Sequence, residues 1–494
     1  MPSCELPENP DLGHLKRQAK ALQRAARAGD LEAVALVAEF HPRHATLTAG
    51  GGLAGFSRVD ALLVVARRYG FSSWPQLLRH MERISEYTRS PQGDDRNEDG
   101  GINGFLRRAC LTYGDDDVAR RDQARAMLSA DPGLASANIY TMATTGDTGA
   151  AARLLARDPS LARRSGGPHG WEPLLYAAYS RLDTDHADES TTLELAALLL
   201  AHGADPNAGY LSNGLYPFTA LTGVFGEGER GPIRQPRHRH STAFARLLLD
   251  AGADPNDSQA LYNRQFLPDD SHLELLFEYG LGTGSGGPWH ARFAANHPSP
   301  SELMRDQLEW AAERNFPDRV RLMLENGVHP DVPNAPPGAN GSAYLLALRS
   351  GNTEIAGMLL AAGANPIALN TTQRLRAALM AGDRATTDQL TGVEPTLANH
   401  MKAEEPDLII RAAEIGRLDA VRLMTEVGFD VNHRHRVTAL HEAAGNGDLN
   451  LVRLLVELGA DPTITDTEHH STALGWAEYG DQREVVEYLT SRGQ

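Results

Sequence analysis

The stretch that decides the fold is "VTALHEAAGNGDLNLVRLLVELGADP", Val437 to Pro462. It contains two Ala/Leu-rich segments of helical period on either side of Gly447-Asp448. Glycine tolerates the left-handed conformation that ends a helix, and aspartate caps the helix that follows. After the second segment, Gly459 and the following Asp-Pro favour a turned, non-helical link. The stretch therefore predicts two antiparallel helices joined by a tight turn.

The same turn signal recurs along the chain. Gly-Asp pairs also begin at Gly29, Gly114, Gly146, Gly382 and Gly480, and two variants of the pair occur at Gly351-Asn352 and Gly416-Arg417. In the C-terminal part, the turns from Gly351 to Gly480 follow one another at intervals of 31, 34, 31 and 33 residues. A repeat of this length predicts a solenoid of helical hairpins.

Residues 437–462 resemble an ankyrin repeat, with Ala439 where that family usually has proline. "GWEPLLYAA" from Gly170 is a second, weaker match, and about thirteen such hairpins can be drawn from Leu15 to Arg492. The sequence is also similar to a group of bacterial ankyrin-repeat proteins. The resemblance implies an all-α, ankyrin-type helical-hairpin solenoid with a concave groove and with insertions in its central repeats.

Departures from the repeat pattern divide the chain. Residues 89–101 are polar and have no apolar stripe, which is typical of an exposed linker. We predict the following organisation: N-terminal helical hairpins at 1–88, a linker at 89–101, ankyrin-like repeats with inserted loops at 102–280, an inserted loop at 281–300, and C-terminal ankyrin repeats at 301–494.

Charge and composition restrict the partners. The net charge of −17 disfavours nucleic-acid phosphates and anionic membranes as ligands. Two cysteines, Cys4 and Cys110, cannot form a disulfide framework and suit a reducing compartment. Residues 1–20 lack the apolar core of a signal peptide, and no apolar run is long enough to span a bilayer. We expect a cytoplasmic protein that binds neither nucleic acid nor membrane.

Four insertions interrupt hairpins five to eight. Arg181–Ser190 and Phe225–His240 replace the turn between two helices, whereas Ala208–Tyr216 and Gly280–Pro300 enlarge the other connection. Because equivalent turns of stacked hairpins are neighbours, we expect the first two insertions to touch. Acidic residues of the first should then pair with arginines of the second. Such a cluster of insertions indicates one elaborated site.

The ankyrin pattern places the variable positions of each first helix on the groove. These positions are Tyr176, Tyr179, Trp310, Glu313, Arg314, Arg411, Glu414, Glu442 and Trp476. Aromatic and charged side chains in such a row suit recognition of a partner. We expect the two tyrosines to be exposed, whereas the tryptophans are equally compatible with packing between helices. His441 matches the family's histidine that hydrogen-bonds within the repeat, so we assign it a structural role.

The insertions contain residues that could carry chemistry. His238 and His240 have a spacing that could ligate a metal, but no fixed-spacing metal motif is present and the interleaved arginines repel a dication. Glu227 and Glu229 could act as general acid and base, although carboxylates on a glycine-rich loop are more often solvated. The sequence has no nucleophile, phosphate or dinucleotide motif. We therefore expect no metal and no cofactor.

Two functions are compatible with these observations. The first is a protein–protein interaction module that binds a partner through the groove and the inserted lobe of the central repeats. The second is an enzyme, hydrolase- or isomerase-like, that acts on a small metabolite. Its pocket would be roofed by the insertions and floored by Tyr176, Tyr179 and Tyr262. The absence of a catalytic motif favours the first.

Overall fold

A computed structural model describes residues 11–48, 53–91, 100–114, 116–182, 189–293, 297–331 and 342–492. The helices of the first part of the chain are α1 (Leu12–Arg27), α2 (Leu31–Phe40), α3 (His44–Thr48), α4 (Arg58–Arg68), α5 (Trp74–Tyr87), α6 (Gly101–Ala109), α7 (Val118–Ala130), α8 (Ile139–Thr145), α9 (Thr148–Leu155), α10 (Pro173–Tyr179), α11 (Glu189–Ala201), α12 (Ala220–Phe225), α13 (Gly231–Arg234), α14 (Ser241–Asp250) and α15 (Ser258–Arg264). Those of the second part are α16 (Ser271–Glu278), α17 (Gly287–Phe293), α18 (Pro300–Arg314), α19 (Pro317–Glu325), α20 (Ala343–Arg349), α21 (Thr353–Ala361), α22 (Thr371–Ala381), α23 (Arg384–Val393), α24 (Leu397–Glu404), α25 (Leu408–Glu414), α26 (Leu418–Val427), α27 (Ala439–Gly445), α28 (Leu449–Glu457), α29 (Ala473–Tyr479) and α30 (Arg483–Arg492). The predicted all-α hairpin architecture is confirmed.

The chain divides into two compact units. Unit 1 comprises Met1–Glu227, Pro232–Arg264 and Thr283–Ser299, and unit 2 comprises Gly228–Gly231, Gln265–Gly282 and Pro300–Gln494. The boundaries predicted from the sequence stay predictions, because they were drawn from repeat patterns and not from packing.

The Gly-Asp turns at Gly29, Gly146, Gly382 and Gly447 form as the sequence predicts, whereas at Gly480 the left-handed conformation falls on Asp481. Gly447 has a φ of +73°, and Asp448 then caps α28 by accepting a hydrogen bond from the Leu451 amide at 3.0 Å. At the Gly351 turn a second constraint is added, because a Cβ atom there would lie 2.3 Å from the backbone nitrogen of Ala381. Glycine at this position permits both the left-handed backbone and the close approach of the next repeat.

Unit 2 consists of two layers of helices. First helices pack on first helices, with α18 against α20, α20 against α22, α25 against α27, and α27 against α29. Second helices form the other layer, with α19 against α21 and α26, α28 and α30 in series. The continuous core between the layers runs from Leu375 to Leu489 and consists mainly of Ala, Leu, Val, Ile and Met. The repeat period therefore corresponds to a stack in which each hairpin buries its apolar face on its neighbours.

Unit 1 follows the same scheme and adds a small sheet. Helices α8, α10 and α12 pack in series, and α9, α11 and α14 form the second layer. The insertion at 208–216 contributes a hairpin of β2 (Gly209–Ser212) and β3 (Tyr216–Thr219), and β1 (Thr88–Arg89) pairs parallel to β2. Asn213 and Gly214, both with positive φ, make the hairpin turn.

The insertion at 281–300 contains helix α17 rather than an open loop. Trp289 and Phe293 of α17 pack with Ile84 and Leu211 in a small core of unit 1. The Trp289 Nε1 atom also donates a hydrogen bond to the Asn207 carbonyl at 3.0 Å. Across the described ranges, no helix combines the length and the apolar character that crossing a bilayer requires.

Candidate functional site

A hollow of about 350 Å³ lies on the first-helix face of unit 2, and we call it the groove. Five of the predicted partner-facing residues line it: Glu313, Arg314, Arg411, Glu414 and Glu442. They come from the ends of α18 and α25 and from α27, three first helices of the stack. The projection of the ankyrin pattern therefore identified side chains that share one concave surface.

Arg314 is held between an aromatic ring and a carboxylate. Its guanidinium lies 4.5 Å from the centre of the Trp310 ring, and its Nη1 atom is 2.5 Å from Glu414 Oε1. Trp310 is fixed in turn because its indole N–H donates to the Gln265 carbonyl at 3.2 Å. Trp310 is thus half-buried under Arg314. The sequence left open whether this ring faces the groove or packs between helices, and the observed burial lies between the two.

Most other charges around the groove are paired. Arg376 Nε donates to Glu405 Oε2 at 2.7 Å, and His433 Nε2 lies 2.7 Å from Asp407 Oδ1. Arg411 differs, since its side chain is exposed and no ion pair with another described residue involves it. The Arg411 guanidinium is therefore available to a ligand, whereas the neighbouring arginines of the groove are held in ion pairs.

Glu442 is the most perturbed acid of the groove. Burial raises its pKa to about 7; the neighbouring Glu414 carboxylate adds to this rise, while Arg436 and Arg314 oppose it. Ionisation of a buried carboxyl group costs free energy, and a cationic or hydrogen-bond-donating partner stabilises the ionised form. Glu442 can therefore accept a hydrogen bond or a positive charge from a bound chain.

Two further predictions for unit 2 can be compared with the structure. His441 Nδ1 accepts a hydrogen bond from the Thr438 amide at 3.2 Å, and its Nε2 lies 3.1 Å from the Ser471 carbonyl. The structural role assigned to His441 is confirmed. Trp476 is half-buried, and its indole N–H donates to Asp466 at 3.0 Å.

The expected exposure of Tyr176 and Tyr179 is wrong, because both rings are fully buried. The Tyr176 hydroxyl donates to the Gly166 carbonyl at 2.9 Å, and that of Tyr179 donates to the Thr219 carbonyl at 2.9 Å. Trp171 contacts both rings and stacks on Tyr210 of β2. The inserted hairpin thus covers the face that the repeat pattern assigns to the groove.

The expected behaviour of the two glutamates holds for only one of them. Glu229 is exposed, whereas Glu227 is 3% exposed and lies 2.7 Å from the buried guanidinium of Arg264. Arg237 pairs with the same carboxylate. Glu227 is therefore an ionic anchor of the loop rather than a solvated residue.

The predicted enzyme pocket is not formed by the residues named for it. Tyr262 is 40% exposed, but Tyr176 and Tyr179 lie inside the core, and none of the three lines the cavity beside His238 and His240. Among the described residues, no three His, Cys, Asp or Glu side chains are grouped closely enough to hold a metal ion.

His238 and His240 line a cavity of about 240 Å³ in unit 1, which we call the arginine pocket. Arg181 forms part of its wall and connects the two inserted turns by donating to the Pro236 carbonyl at 2.7 Å. The insertions therefore touch, as predicted, through an arginine and a backbone carbonyl. The ion pairs predicted for Asp183, Asp185, Asp188 and Glu189 lie outside the described side chains.

Stacked helical hairpins with a polar, largely charged groove on the first-helix face define a helical-repeat protein. In agreement, residues 375–466 and 408–494 match the family model described as "Ankyrin repeats (3 copies)". This C-terminal part of the chain therefore carries ankyrin repeats.

Curated relatives support the same assignment over short lengths. The chain is 37% identical over 111 residues to "Ankyrin repeat and SAM domain-containing protein 6" of Rattus norvegicus, which is 22% of this chain and 12% of that protein. It is 38% identical over 73 residues to "Notch-regulated ankyrin repeat-containing protein B" of Danio rerio, covering 14% of this chain and 65% of that one. These relatives are eukaryotic and do not support the predicted bacterial source.

Proposed function

We propose that unit 2 is a protein–protein interaction module whose groove binds an extended segment of a partner protein. The observation that carries this proposal is the convergence of Glu313, Arg314, Arg411, Glu414 and Glu442 on one hollow. A groove of this kind presents rigid first helices side by side, and its side chains are held in place before a ligand arrives. Preorganisation of this type lowers the entropic cost of binding.

The charges of the groove define the chemistry of the bound segment. Exposed Arg411 suits an acidic side chain, because a guanidinium recognises a carboxylate through two parallel hydrogen bonds. Desolvated Glu442 suits a lysine, an arginine or an amide donor. The Arg314–Trp310 pair adds a flat surface for an apolar or aromatic group. We infer that the partner segment carries an acidic and a basic residue around a central apolar one.

The inserted lobe of unit 1 is part of the same proposal as a second contact for the partner. Support comes from its position on consecutive hairpins and from Arg181, which joins the two insertions. We also infer a cytoplasmic location, since Cys110 is a buried free thiol and suits a reducing compartment.

Charge reversal in the groove tests this function with a matched control. Arg411 of α25 and Arg422 of α26 are both exposed arginines of the same repeat, one on the first helix and one on the second. Arg411→Glu should weaken binding at least about tenfold, as loss of a charge-assisted hydrogen bond predicts, while Arg422→Glu should bind like the wild type. Quantitative affinity purification, followed by titration of the purified partner, measures both effects. Equal loss in the two variants, or in neither, would refute the groove as the binding surface.

A further inference from the structure

Three consecutive repeats of unit 2 present equivalent side chains in a row. Arg411, Glu442 and Trp476 each stand five residues before the residue with positive φ at the turn that follows. Their helices α25, α27 and α29 pack on one another in series. Packed helices lie about 8–10 Å apart, so these three positions repeat at about that distance along the first-helix face. We call the three residues the recognition row.

The recognition row carries a cation, an acid and an aromatic ring in that order. Neither the Arg411 guanidinium nor the Glu442 carboxylate makes a hydrogen bond or an ion pair with any residue that the structure describes. The half-buried Trp476 ring lies over Gly445 of α27, where a Cβ atom would come 3.1 Å from the indole. A ligand that satisfies the row therefore needs an acidic and a basic group about 8–10 Å apart.

The hollow between these charges has apolar surface as well. Ile410, Ile415 and Val437 line it together with the charged side chains. Ile410 and Val437 are buried, and Ile415 is partly buried against the core of unit 2. The part of a ligand that connects its acidic and basic groups is therefore expected to be apolar.

The interval of the recognition row restricts the backbone conformation of the ligand. In a β-strand, side chains of one face lie about 6.6 or 13 Å apart, because they alternate and each residue advances about 3.3 Å. An α-helix aligns residues four apart at about 6 Å and residues seven apart at about 10.5 Å, and both values fall outside the interval. A polyproline II helix has three residues per turn and a rise of about 3.1 Å, so every third side chain points the same way about 9.3 Å further along. This last conformation matches the row.

We propose that the groove binds a polyproline II segment of its partner, in which two prolines separate an acidic from a basic residue. The inference rests on the proposed function of unit 2 and specifies its ligand. The acidic residue pairs with Arg411, the basic residue pairs with Glu442, and the prolines pack on the apolar surface between them. Trp476 comes next in the row and offers a flat ring to a flanking proline. Such a segment is extended before it binds, which lowers the entropic cost of association.

Fluorescence anisotropy with the full chain and labelled synthetic peptides tests the proposal. Each peptide contains one glutamate and one arginine, in either order, separated by one, two or three prolines and flanked by prolines. Blocked ends remove the terminal charges. A further peptide has two alanines in place of the two central prolines. We expect the two-proline peptide, in its better order, to bind tightest. Peptides with one or three prolines should bind about tenfold more weakly, because they lose one of the two charge-assisted contacts.

Charge reversal at one position connects the peptide to the recognition row. Arg411→Glu should bind the two-proline peptide at least about tenfold more weakly than Arg422→Glu, which has the same net charge but is altered on the second helix. A peptide with arginine in place of its glutamate should restore binding to Arg411→Glu and not to Arg422→Glu. This restoration depends on charge complementarity at position 411, so a variant that is merely misfolded would not show it.

The results that overturn the inference differ from those that overturn the proposed function. If a peptide with one proline, three prolines or two alanines binds tightest, the polyproline II assignment is wrong. The groove is still the binding surface in that case, provided that Arg411→Glu weakens that peptide. If no peptide binds the wild type, or if Arg411→Glu and Arg422→Glu bind alike, the inference is overturned as well. The affinity purification with the same two variants then tests the proposed function separately.

Discussion

Replacing Arg319 by methionine should destabilise unit 2 and disturb the groove. Arg319 is fully buried, and its guanidinium donates to the carbonyl oxygens of Gln265 at 2.8 Å and Leu267 at 2.6 Å, and to Asp270 at 2.5 Å. The same Gln265 carbonyl accepts the indole N–H of Trp310, on which Arg314 rests in the groove. Methionine fills much of the space but donates no hydrogen bond.

The magnitude follows from the bonds that are lost. Each hydrogen bond from a charged group contributes about 1.5–3 kcal/mol. The carboxylate of Asp270, which is 14% exposed, also loses its partner. Methionine avoids the cost of burying a guanidinium, which offsets part of this loss. We therefore expect a net loss of about 3 kcal/mol, at the lower end of the range for breaking a buried ion pair.

Hydrogen exchange measured by mass spectrometry on the full chain reports this loss locally. A loss of about 3 kcal/mol corresponds to roughly 150-fold faster exchange in peptides of α18 and α19, if these open as one unit. Arg321→Met is the matched control on the same helix, because Arg321 is half-exposed and pairs with exposed Asp318. Its effect should stay below about 1 kcal/mol. If the two variants exchange alike, the reasoning from burial and hydrogen bonding is wrong.

Two further predictions concern the turns and the groove. Gly351→Ala should destabilise unit 2 more than Gly459→Ala. Both glycines have a positive φ, but only a Cβ atom at position 351 would meet the backbone of the next repeat. Chemical denaturation of the two variants measures the difference, and equal losses of stability would contradict this reasoning. Glu442→Gln should be more stable than the wild type at pH 8 and equal to it near pH 4.5. Burial raises the pKa of Glu442 from its ordinary 4.5 to about 7, so the stability that protonation provides is complete below about pH 4.5 and is lost as the pH rises through about 7. Denaturation midpoints of both proteins across that window decide the point, and a pH-independent difference would exclude the ionisation of Glu442 as the cause.

The repeat pattern predicted unit 2 better than unit 1 for a physical reason. In unit 2, a glycine with positive φ ends the first helix at the turns of Gly351, Gly382, Gly416 and Gly447, so the hairpin geometry is fixed locally and the groove positions follow from the spacing of these turns. In unit 1, the insertion with Asn213-Gly214 folds into a hairpin whose Tyr210 covers Tyr179. An Asn-Gly pair between "YLS" and "LYPFT" was the available signal for that hairpin.

Long-range ion pairs were beyond the sequence argument. Glu227 stands between two glycines, which suggests a flexible loop, yet its partner Arg264 is 37 residues away and becomes a neighbour only through the packing of α15 against α12. Arg181 is similar, since its acceptors Pro236 and Gly223 belong to the following hairpin. Pairing of this kind depends on which loops meet, and opposite charges in a sequence do not specify that.

Site-specific photo-crosslinking in cells tests the proposed use of the groove most directly. A photoreactive phenylalanine analogue would replace Ile415, which lines the groove and leaves Arg411 in place, or, as the control, Arg422 on the second helix of the same repeat. The account predicts one defined protein adduct from position 415, none from position 422, and loss of the adduct when Arg314→Glu is added. Adducts of equal yield at both positions, or an adduct at 415 that survives Arg314→Glu, would contradict it.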